Sequence, residues 1–255
     1  MNTCRNGKTA QHRGADPSFE SPPMLKSLVN RIARSAAARL PHYAREANRK
    51  KINLELRDLN LANAPAIQTW TTRAQLETLY RLAADLPAHA NVVEVGSYLG
   101  ASTCYLAAGV AARGGTVTAI DLWNNETIPG GPRDTFEEFK RNTAGVSHLL
   151  RIVRKRTQDL TPEDVKPPVH LAFIDADHSY EATRSDASFL APLMSPDGII
   201  AFHDTATFAG VGRVLGEMLT SGDWCLGGHT ENLSWIRRAN WSPWPLPGKD
   251  SAAKP

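Results

Sequence analysis

Acidic and histidine side chains directly follow two apolar runs in the second half of the chain. The first run is followed by Asp175 and His178, and the second by His203 and Asp204. If both runs are neighbouring strands of one parallel sheet, these side chains converge at the same edge. Carboxylates and imidazoles bind divalent metal ions, and an imidazole with an ordinary pKa of about 6.5 can take a proton at neutral pH. The two segments therefore predict a centre for metal binding or proton transfer.

A glycine-containing turn follows an earlier apolar run and has the spacing Glu-x-Gly-x-x-x-Gly. Glu94, Gly96 and Gly100 form this pattern, and Ser102 follows two residues later. Such a turn between a strand and a helix lets backbone N–H groups approach an anionic part of a ligand. A dinucleotide-binding turn needs its second glycine where this chain has Tyr98, whose side chain would crowd a pyrophosphate. The spacing therefore disfavours a dinucleotide, although such a turn can also be purely structural.

A further acidic residue, Asp121, ends the apolar run after the turn. It lies about 25 residues beyond the turn, at the carboxyl end of the second predicted strand, where a carboxylate can accept hydrogen bonds from both hydroxyls of a ribose. The alternative is an aspartate that caps a helix or lies in a loop.

These residues are positioned by alternating strands and helices. The predicted strands are 92–95, 116–120, 150–153, 171–174, 199–202 and a last one at 233–236. The predicted helices are 72–84, 102–112, 135–142, 180–190 and 211–219, and Thr72 with Gln75 resembles a capping box at the start of the first. Short apolar runs that alternate with helices favour an α/β fold, a Rossmann-like, doubly wound and mostly parallel sheet with helices on both faces. A helical extension is expected to precede it.

In this order, the motifs resemble class I S-adenosylmethionine-dependent methyltransferases, most closely the catechol O-methyltransferase group and related small-molecule and sugar O-methyltransferases. The resemblance implies that S-adenosylmethionine is the cofactor, with its ribose on Asp121 and its adenine beside Thr157 and Gln158. Glu94 is expected to attract the ammonium group of the cofactor, and the turn with Ser102 its carboxylate. The expected cofactor-binding residues are Glu94, Gly96, Ser97, Tyr98, Gly100, Ser102, Asp121, Thr157, Gln158 and Asp175.

The same resemblance implies a divalent metal, Mg or Mn, on Asp175, His203 and Asp204. The third ligand stays open, because His203 or Thr205 stands where the family usually has a carboxylate or an amide; a coordinating imidazole would favour Mn, Fe or Zn over Mg. The resemblance places the general base at His178, three residues after the first aspartate, with Asp175 as its catalytic neighbour. The alternatives are a loop histidine at 178 and a His203 that only orients Asp204.

Composition and charge indicate the organisation of the chain. Residues 1–23 are expected to be disordered, residues 24–70 to form a basic helical extension, residues 71–239 the catalytic domain and residues 240–255 a loose tail. Residues 24–51 carry eight basic side chains and one acidic one, so this segment could contact an anionic membrane or an acidic partner, or lie solvated on the domain. The net charge of +3 does not indicate nucleic acid. Three dispersed cysteines and no long apolar run favour a soluble, cytoplasmic protein, and homo-oligomers stay open.

Three other functions compete with the metal-dependent O-methyltransferase. A nicotinamide-dependent oxidoreductase could use a similar sheet, although the turn spacing argues against it. A metal-independent O- or N-methyltransferase would rely on His178 as base, with Asp175 orienting it. A non-enzymatic scaffold could keep the fold and dock through the basic extension. The acceptor expected from the resemblance is a hydroxyl of a small molecule, such as a natural product, or of a sugar.

Overall fold

A computed structural model of the protein describes residues 44–125 and 131–240. The chain divides into two compact units, residues 1–48 and residues 49–255. Residues 44–48 of the first unit are helical, and so are residues 49–58 of the second. The predictions for residues 1–23, for the basic helix before residue 44 and for the tail from residue 241 lie outside the described residues. Within the described ranges, no helix is both long and apolar enough to span a membrane.

The described part of the second unit contains one seven-stranded sheet. Its strands are β1 (Asn91–Val95), β2 (Thr116–Ile120), β3 (Leu150–Val153), β4 (Val169–Ile174), β5 (Met194–Phe202), β6 (Trp224–Thr230) and β7 (Leu233–Arg238). They lie in the order β3-β2-β1-β4-β5-β7-β6. The first five strands are parallel, whereas β7 is antiparallel to both β5 and β6. The predicted Rossmann-like, mostly parallel sheet is confirmed.

Helices connect the strands and cover the sheet. They are α1 (Arg73–Ala84), α2 (Ala101–Ala111), α3 (Phe136–Asn142), α4 (Pro162–Val165), α5 (Tyr180–Leu190) and α6 (Ala209–Thr220). Short 3₁₀ helices occupy Ala64–Ala66, Ala144–Leu149, Thr157–Asp159 and Ala191–Leu193. The five predicted helices correspond to α1, α2, α3, α5 and α6, with ends that differ by no more than two residues, and the single turn α4 was not predicted.

The buried residues form two main cores, one on each face of the sheet. Val92 of β1 packs with Leu79 and Leu106 from α1 and α2. Its neighbour Val93 packs with Leu190 and Val214 from α5 and α6. Successive side chains of a strand point to opposite faces, so a strand covered on both sides must be apolar throughout. This is why the central strands are recognisable as continuous apolar runs.

Strand β6 was not predicted from the sequence. Its residues are mostly exposed, and it contains Gly227 and Gly228 in place of an apolar run or an alternating pattern. A Cβ atom at Gly228 would lie 2.4 Å from the ring of Trp235 on β7. The glycines therefore make room for a neighbouring tryptophan at the edge of the sheet, and this requirement comes from tertiary packing.

The register of the sheet brings the predicted chemical residues together. Ile174 at the end of β4 pairs with Val95 of β1 on one side and with Phe202 of β5 on the other. Asp175 and His203, the next residues on β4 and β5, are therefore neighbours. Their backbones continue the pairing, because Asp175 N donates to Val95 O at 2.8 Å and His203 N to Ile174 O at 3.1 Å.

Candidate active site

Two cavities open at the carboxyl edge of the parallel strands. The first has a volume of about 330 Å³ and is lined by Asp121, Thr157 and Gln158 among other residues. The second, of about 400 Å³, is lined by His178, His203 and Asp204 among others. The two cavities share the lining residues Gly96, Tyr98, Asp175 and Ala176. The predicted site residues are thus divided between two adjoining compartments.

The turn after β1 depends on its two predicted glycines. Gly96 has a φ of +88°, and a Cβ atom there would lie 2.0 Å from the backbone oxygen of Asp175. Gly100 has a φ of +87°, and its Cβ would lie 2.6 Å from the side chain of Thr143. Both positions combine a left-handed backbone, which favours glycine, with a close approach. The turn can therefore pass directly over the end of β4 between the two cavities.

Asp121 holds this turn in place from the end of β2. Its Oδ2 accepts hydrogen bonds from the backbone N–H groups of Ser97 and Tyr98, at 2.9 and 2.8 Å. Its Oδ1 accepts from the backbone N–H of Trp123 at 2.7 Å. Because each carboxylate oxygen has more than one acceptor site, Asp121 can organise the turn and still accept hydrogen bonds from a ligand in the first cavity.

Glu94 lies beneath the turn and is fully buried. Its Oε2 accepts hydrogen bonds from the hydroxyls of Ser97, at 2.7 Å, and Thr103, and within the described chain its Oε1 has no partner. Burial raises the pKa of Glu94 to about 7, although the surrounding hydroxyls of Ser102, Thr103 and Ser97 favour the charged form. Glu94 is not among the described residues that line the two cavities. Its observed contacts are those of a residue that supports the turn from below.

Aromatic side chains form the rim of the second cavity. Trp70 is half exposed and packs against Tyr98, with ring centroids 5.1 Å apart. Phe208 is also exposed and stacks on the imidazole of His178, with centroids 4.3 Å apart and an interplanar angle of 17°. Exposed aromatic rings beside polar groups are typical of a ligand-binding cavity. Trp70 was not predicted, because it lies outside periodic segments, where a single aromatic residue carries no pattern.

Asp175, His178, His203 and Asp204 form one cluster, in which one ligand atom from each lies within 4.8 Å of the others. His178 Nε2 is 3.5 Å from Asp175 Oδ1 and 3.1 Å from Asp204 Oδ2. His203 Nδ1 is 3.1 Å from Asp175 Oδ1 and 3.3 Å from Asp204 Oδ2. The sheet has therefore brought the four predicted side chains to a single point.

The two carboxylates of the cluster favour a positive charge beside them. Burial alone would raise the pKa of Asp175, but the imidazoles of His178 and His203 outweigh it and hold the pKa below its usual value. Burial alone would lower the pKa of His203, but the carboxylates of Asp175 and Asp204 outweigh it and raise the pKa. Two partly buried carboxylates of this kind are stabilised by a proton on an imidazole or by a bound cation.

The donor set also fits a divalent metal ion. Within residues 44–125 and 131–240, the buried nitrogens His178 Nε2 and His203 Nδ1 have no polar neighbour to pair with other than the two carboxylates. Buried polar atoms are normally paired, so an imidazole nitrogen such as His203 Nδ1, which faces two carboxylates, is suited to hold an ion together with them. Imidazole together with carboxylate is a donor set for Mn, Fe or Zn more than for Mg.

The contacts of His203 and Thr205 favour His203 as the third metal ligand. The hydroxyl of Thr205 donates to Asn232 O at 3.1 Å and pairs with Ser234 Oγ at 2.9 Å. Thr205 is not among the described residues that line the second cavity, whereas His203 is. Asn232, which was not predicted, also donates its amide N–H to Asp204 Oδ1. This contact orients Asp204, whose backbone has a φ of +59°.

Comparisons with known proteins agree with this geometry. Residues 93–205 match the family described as "Methyltransferase domain", and no curated protein matches the chain. Among solved structures, the O-methyltransferase NovP is 18% identical with a TM-score of 0.53, over 65% of this chain and 79% of that one. The second is TomG from Streptomyces achromogenes, an O-methyltransferase involved in tomaymycin synthesis and solved in complex with SAM. It is 19% identical with a TM-score of 0.50, and the match covers 74% of this chain and 88% of that one. An O-methyltransferase from Bacillus cereus, in complex with SAH, is 17% identical with a TM-score of 0.50, over 74% and 89%.

The matched residues extend from β1 through β2 and β4 to the residue after Asp204, so they include the turn, Asp121 and the Asp/His cluster. The solved structures are similar to this chain in fold. The predicted resemblance is confirmed, and the match favours methyl transfer over the nicotinamide-dependent alternative. Residues 93–205 match a methyltransferase domain, and the solved structures share the Rossmann-like fold of this chain.

Proposed function

We propose that the chain is an S-adenosylmethionine-dependent O-methyltransferase that acts on a hydroxyl of a small molecule or sugar. The observation that carries the proposal is that the two cavities adjoin at Gly96, Tyr98, Asp175 and Ala176. Methyl transfer requires the acceptor oxygen to lie in line with the S–CH₃ bond of the donor, so donor and acceptor must occupy adjoining compartments. Both imidazoles of the Asp/His cluster, those of His178 and His203, line the second cavity and are not among the described residues that line the first. This arrangement fits removal of a proton from an acceptor in the second cavity.

The first cavity is the donor compartment. When bound, S-adenosylmethionine supplies an electrophilic methyl group on its sulfonium. Asp121 accepts hydrogen bonds from the ribose hydroxyls. The glycine turn lets the backbone approach the cofactor closely, because Gly96 has no side chain. Thr157 and Gln158 line the same cavity and provide polar groups for the adenine. The position of Glu94 beneath the turn supports an indirect role, in which it maintains the turn that the cofactor contacts.

The second cavity is the acceptor compartment, and His178 is its general base. His178 lines this cavity, with its Nε2 beside the carboxylates of Asp175 and Asp204. It can take the proton of the acceptor hydroxyl as the oxygen bonds to the methyl carbon and the carbon–sulfur bond breaks. Asp175, Asp204 and His203 would hold a divalent ion, which would lower the pKa of the acceptor hydroxyl and orient it. Trp70 and Phe208 offer aromatic faces to the apolar parts of the acceptor.

A metal-independent methyltransferase is the second candidate. It is favoured by the contact of His178 Nε2 with Asp204 Oδ2 at 3.1 Å, since carboxylates can orient the imidazole and stabilise it once protonated. Turnover measured with excess chelator separates the two candidates. Full loss that is restored by Mn²⁺ supports the metal, and unchanged turnover supports the metal-independent enzyme.

Calorimetric titration with S-adenosylmethionine tests whether the protein binds the proposed cofactor. We expect the wild type and Asp58→Ala to bind equally, because Asp58 is exposed on the helical segment 49–58 and lines neither cavity. We expect Asp121→Ala to bind at least about tenfold more weakly, since hydrogen bonds to charged groups contribute about 1.5–3 kcal/mol. A folded wild-type protein that binds no S-adenosylmethionine would overturn the proposed function.

A further inference from the structure

Gln75 reaches the Asp/His cluster from outside the sheet. It lies in the first turn of α1, ahead of β1, and is 1% exposed. Its Oε1 is 3.2 Å from Nε2 of His203, which is itself 3% exposed. The two residues are 128 positions apart in the chain. A side chain from the segment that precedes the sheet thus contacts the far side of an imidazole whose near side faces Asp175 and Asp204.

The hydrogen bonds of Gln75 determine which nitrogen of His203 carries the proton. Gln75 Oε1 also accepts the backbone N–H of Thr72 at 2.7 Å. A backbone N–H can only donate, so this contact fixes the orientation of the amide, and the amide oxygen can only accept. His203 Nε2 must therefore donate to Gln75. Because Nε2 keeps its proton in this hydrogen bond, Nδ1 is the nitrogen that can present a lone pair.

Nδ1 of His203 is the atom that faces the two carboxylates, and it has no hydrogen-bond partner among the described residues. We propose that Gln75 is a positioning residue that holds His203 in the Nε2-protonated form, so that Nδ1 serves as a metal ligand beside Asp175 and Asp204. The proposal rests on the metal site of the proposed function. Hydrogen bonding to the outer nitrogen of a metal-bound histidine is a general means of fixing its tautomer and orientation.

Gln75 also belongs to the capping box of α1, and this structural role must be separated from the proposed one. Its backbone N–H donates to Thr72 Oγ1, so Thr72→Ala removes this half of the box and keeps the backbone donor to Gln75 Oε1. Gln75→Leu removes the other half, the acceptor of the Thr72 backbone N–H, together with the contact with His203. Gln75→Glu keeps an acceptor in the same place for both Thr72 and His203. The three variants form a matched series.

The readout is the affinity of the full-length protein for Zn²⁺ alone, measured by competition with a chromogenic chelator. Zn²⁺ that stays bound to an Asp175→Asn/Asp204→Asn double variant is subtracted as binding elsewhere. We expect Gln75→Leu to weaken binding by about 10- to 100-fold, Gln75→Glu to bind within a few-fold of the wild type, and Thr72→Ala to match it. In the Zn²⁺-loaded wild type, ¹⁵N NMR should show His203 protonated at Nε2.

Three results would overturn the inference while leaving the metal site intact. The first is a Gln75→Leu protein that folds and binds Zn²⁺ as tightly as the wild type, and the second is a His203 protonated at Nδ1 in the loaded protein. Equal weakening in Thr72→Ala and Gln75→Leu would also refute it, because a loss of helix capping would then explain both. If the wild type and the double variant retain the same Zn²⁺, the metal part of the proposed function fails and the inference fails with it.

Discussion

Asp186 on α5 provides a test of the electrostatics at the donor cavity. It lines this cavity and is 2% exposed. Burial, with a smaller contribution from the charge of Asp177, raises its pKa from 3.8 to about 7, although a hydrogen bond with Thr157 favours the charged form. The perturbation we choose is Asp186→Asn, which keeps the shape of the side chain and cannot ionise.

The expected effect follows from the difference in pKa between the folded and unfolded states. A carboxyl whose pKa is raised on folding contributes stability that is fully present below its unfolded pKa, and this stability is lost as the pH rises through the folded pKa. At about 1.4 kcal/mol per pKa unit, a rise of about three units is equivalent to about 4 kcal/mol. Relaxation around the charged group reduces this, so we expect about 2–4 kcal/mol between about pH 4 and about pH 8.

The assay is urea unfolding of wild type and Asp186→Asn at about pH 4 and about pH 8, without added ligand. The free energy of unfolding of the variant relative to the wild type should increase by about 2–4 kcal/mol between the two conditions. Groups that do not interact with Asp186, including Glu94, titrate equally in both proteins and cancel in the difference. Asp223→Asn, at an exposed position, is the matched control and should show no such increase. A relative stability of Asp186→Asn that is independent of pH would refute the reasoning.

Three further predictions concern the turn, the base and the acceptor rim. Gly96→Ala should unfold at a lower temperature and lose S-adenosylmethionine affinity, because its Cβ atom would lie 2.0 Å from a backbone oxygen. Gly222→Ala is the control for backbone strain alone, since Gly222 has a similar φ of +86° and its Cβ would have no described atom within 4 Å. Equal effects of the two substitutions in calorimetry would exclude the clash. His178→Ala should keep cofactor affinity and lose about 10²- to 10⁴-fold in kcat, and an unchanged kcat would remove it from the mechanism. Trp70→Ala and Phe208→Ala should raise the KM for the acceptor without changing the Kd for S-adenosylmethionine, and an unaltered KM in both would show that the rim does not bind the acceptor.

Much of the fold could be predicted because the central strands are covered on both faces. Residues such as Val93 and Phe173 are buried in the sheet, so their apolar character and their alternation with helices are visible in the sequence. Strand β6 lacked such a signal, since its exposed residues are under no pressure to be apolar. Asp186 and Gln75 were also missed as site residues. Each is a polar residue at a buried position of a helix, where an apolar residue is usual, and this departure from the usual pattern is the signal that could have identified them.

The sequence alone determined the parts of the site that depend on a local constraint. Gly96 and Gly100 are required by a left-handed backbone at a tight turn, and Asp121, Asp175 and Asp204 follow strand ends whose apolar residues define them. Tertiary structure decided the rest, because the burial, pairing and protonation of a side chain depend on groups that are distant in the chain. It placed Glu94 beneath the turn and directed Thr205 towards β7. It also brought Gln75 to His203 across 128 residues, a contact that no local pattern in the sequence encodes.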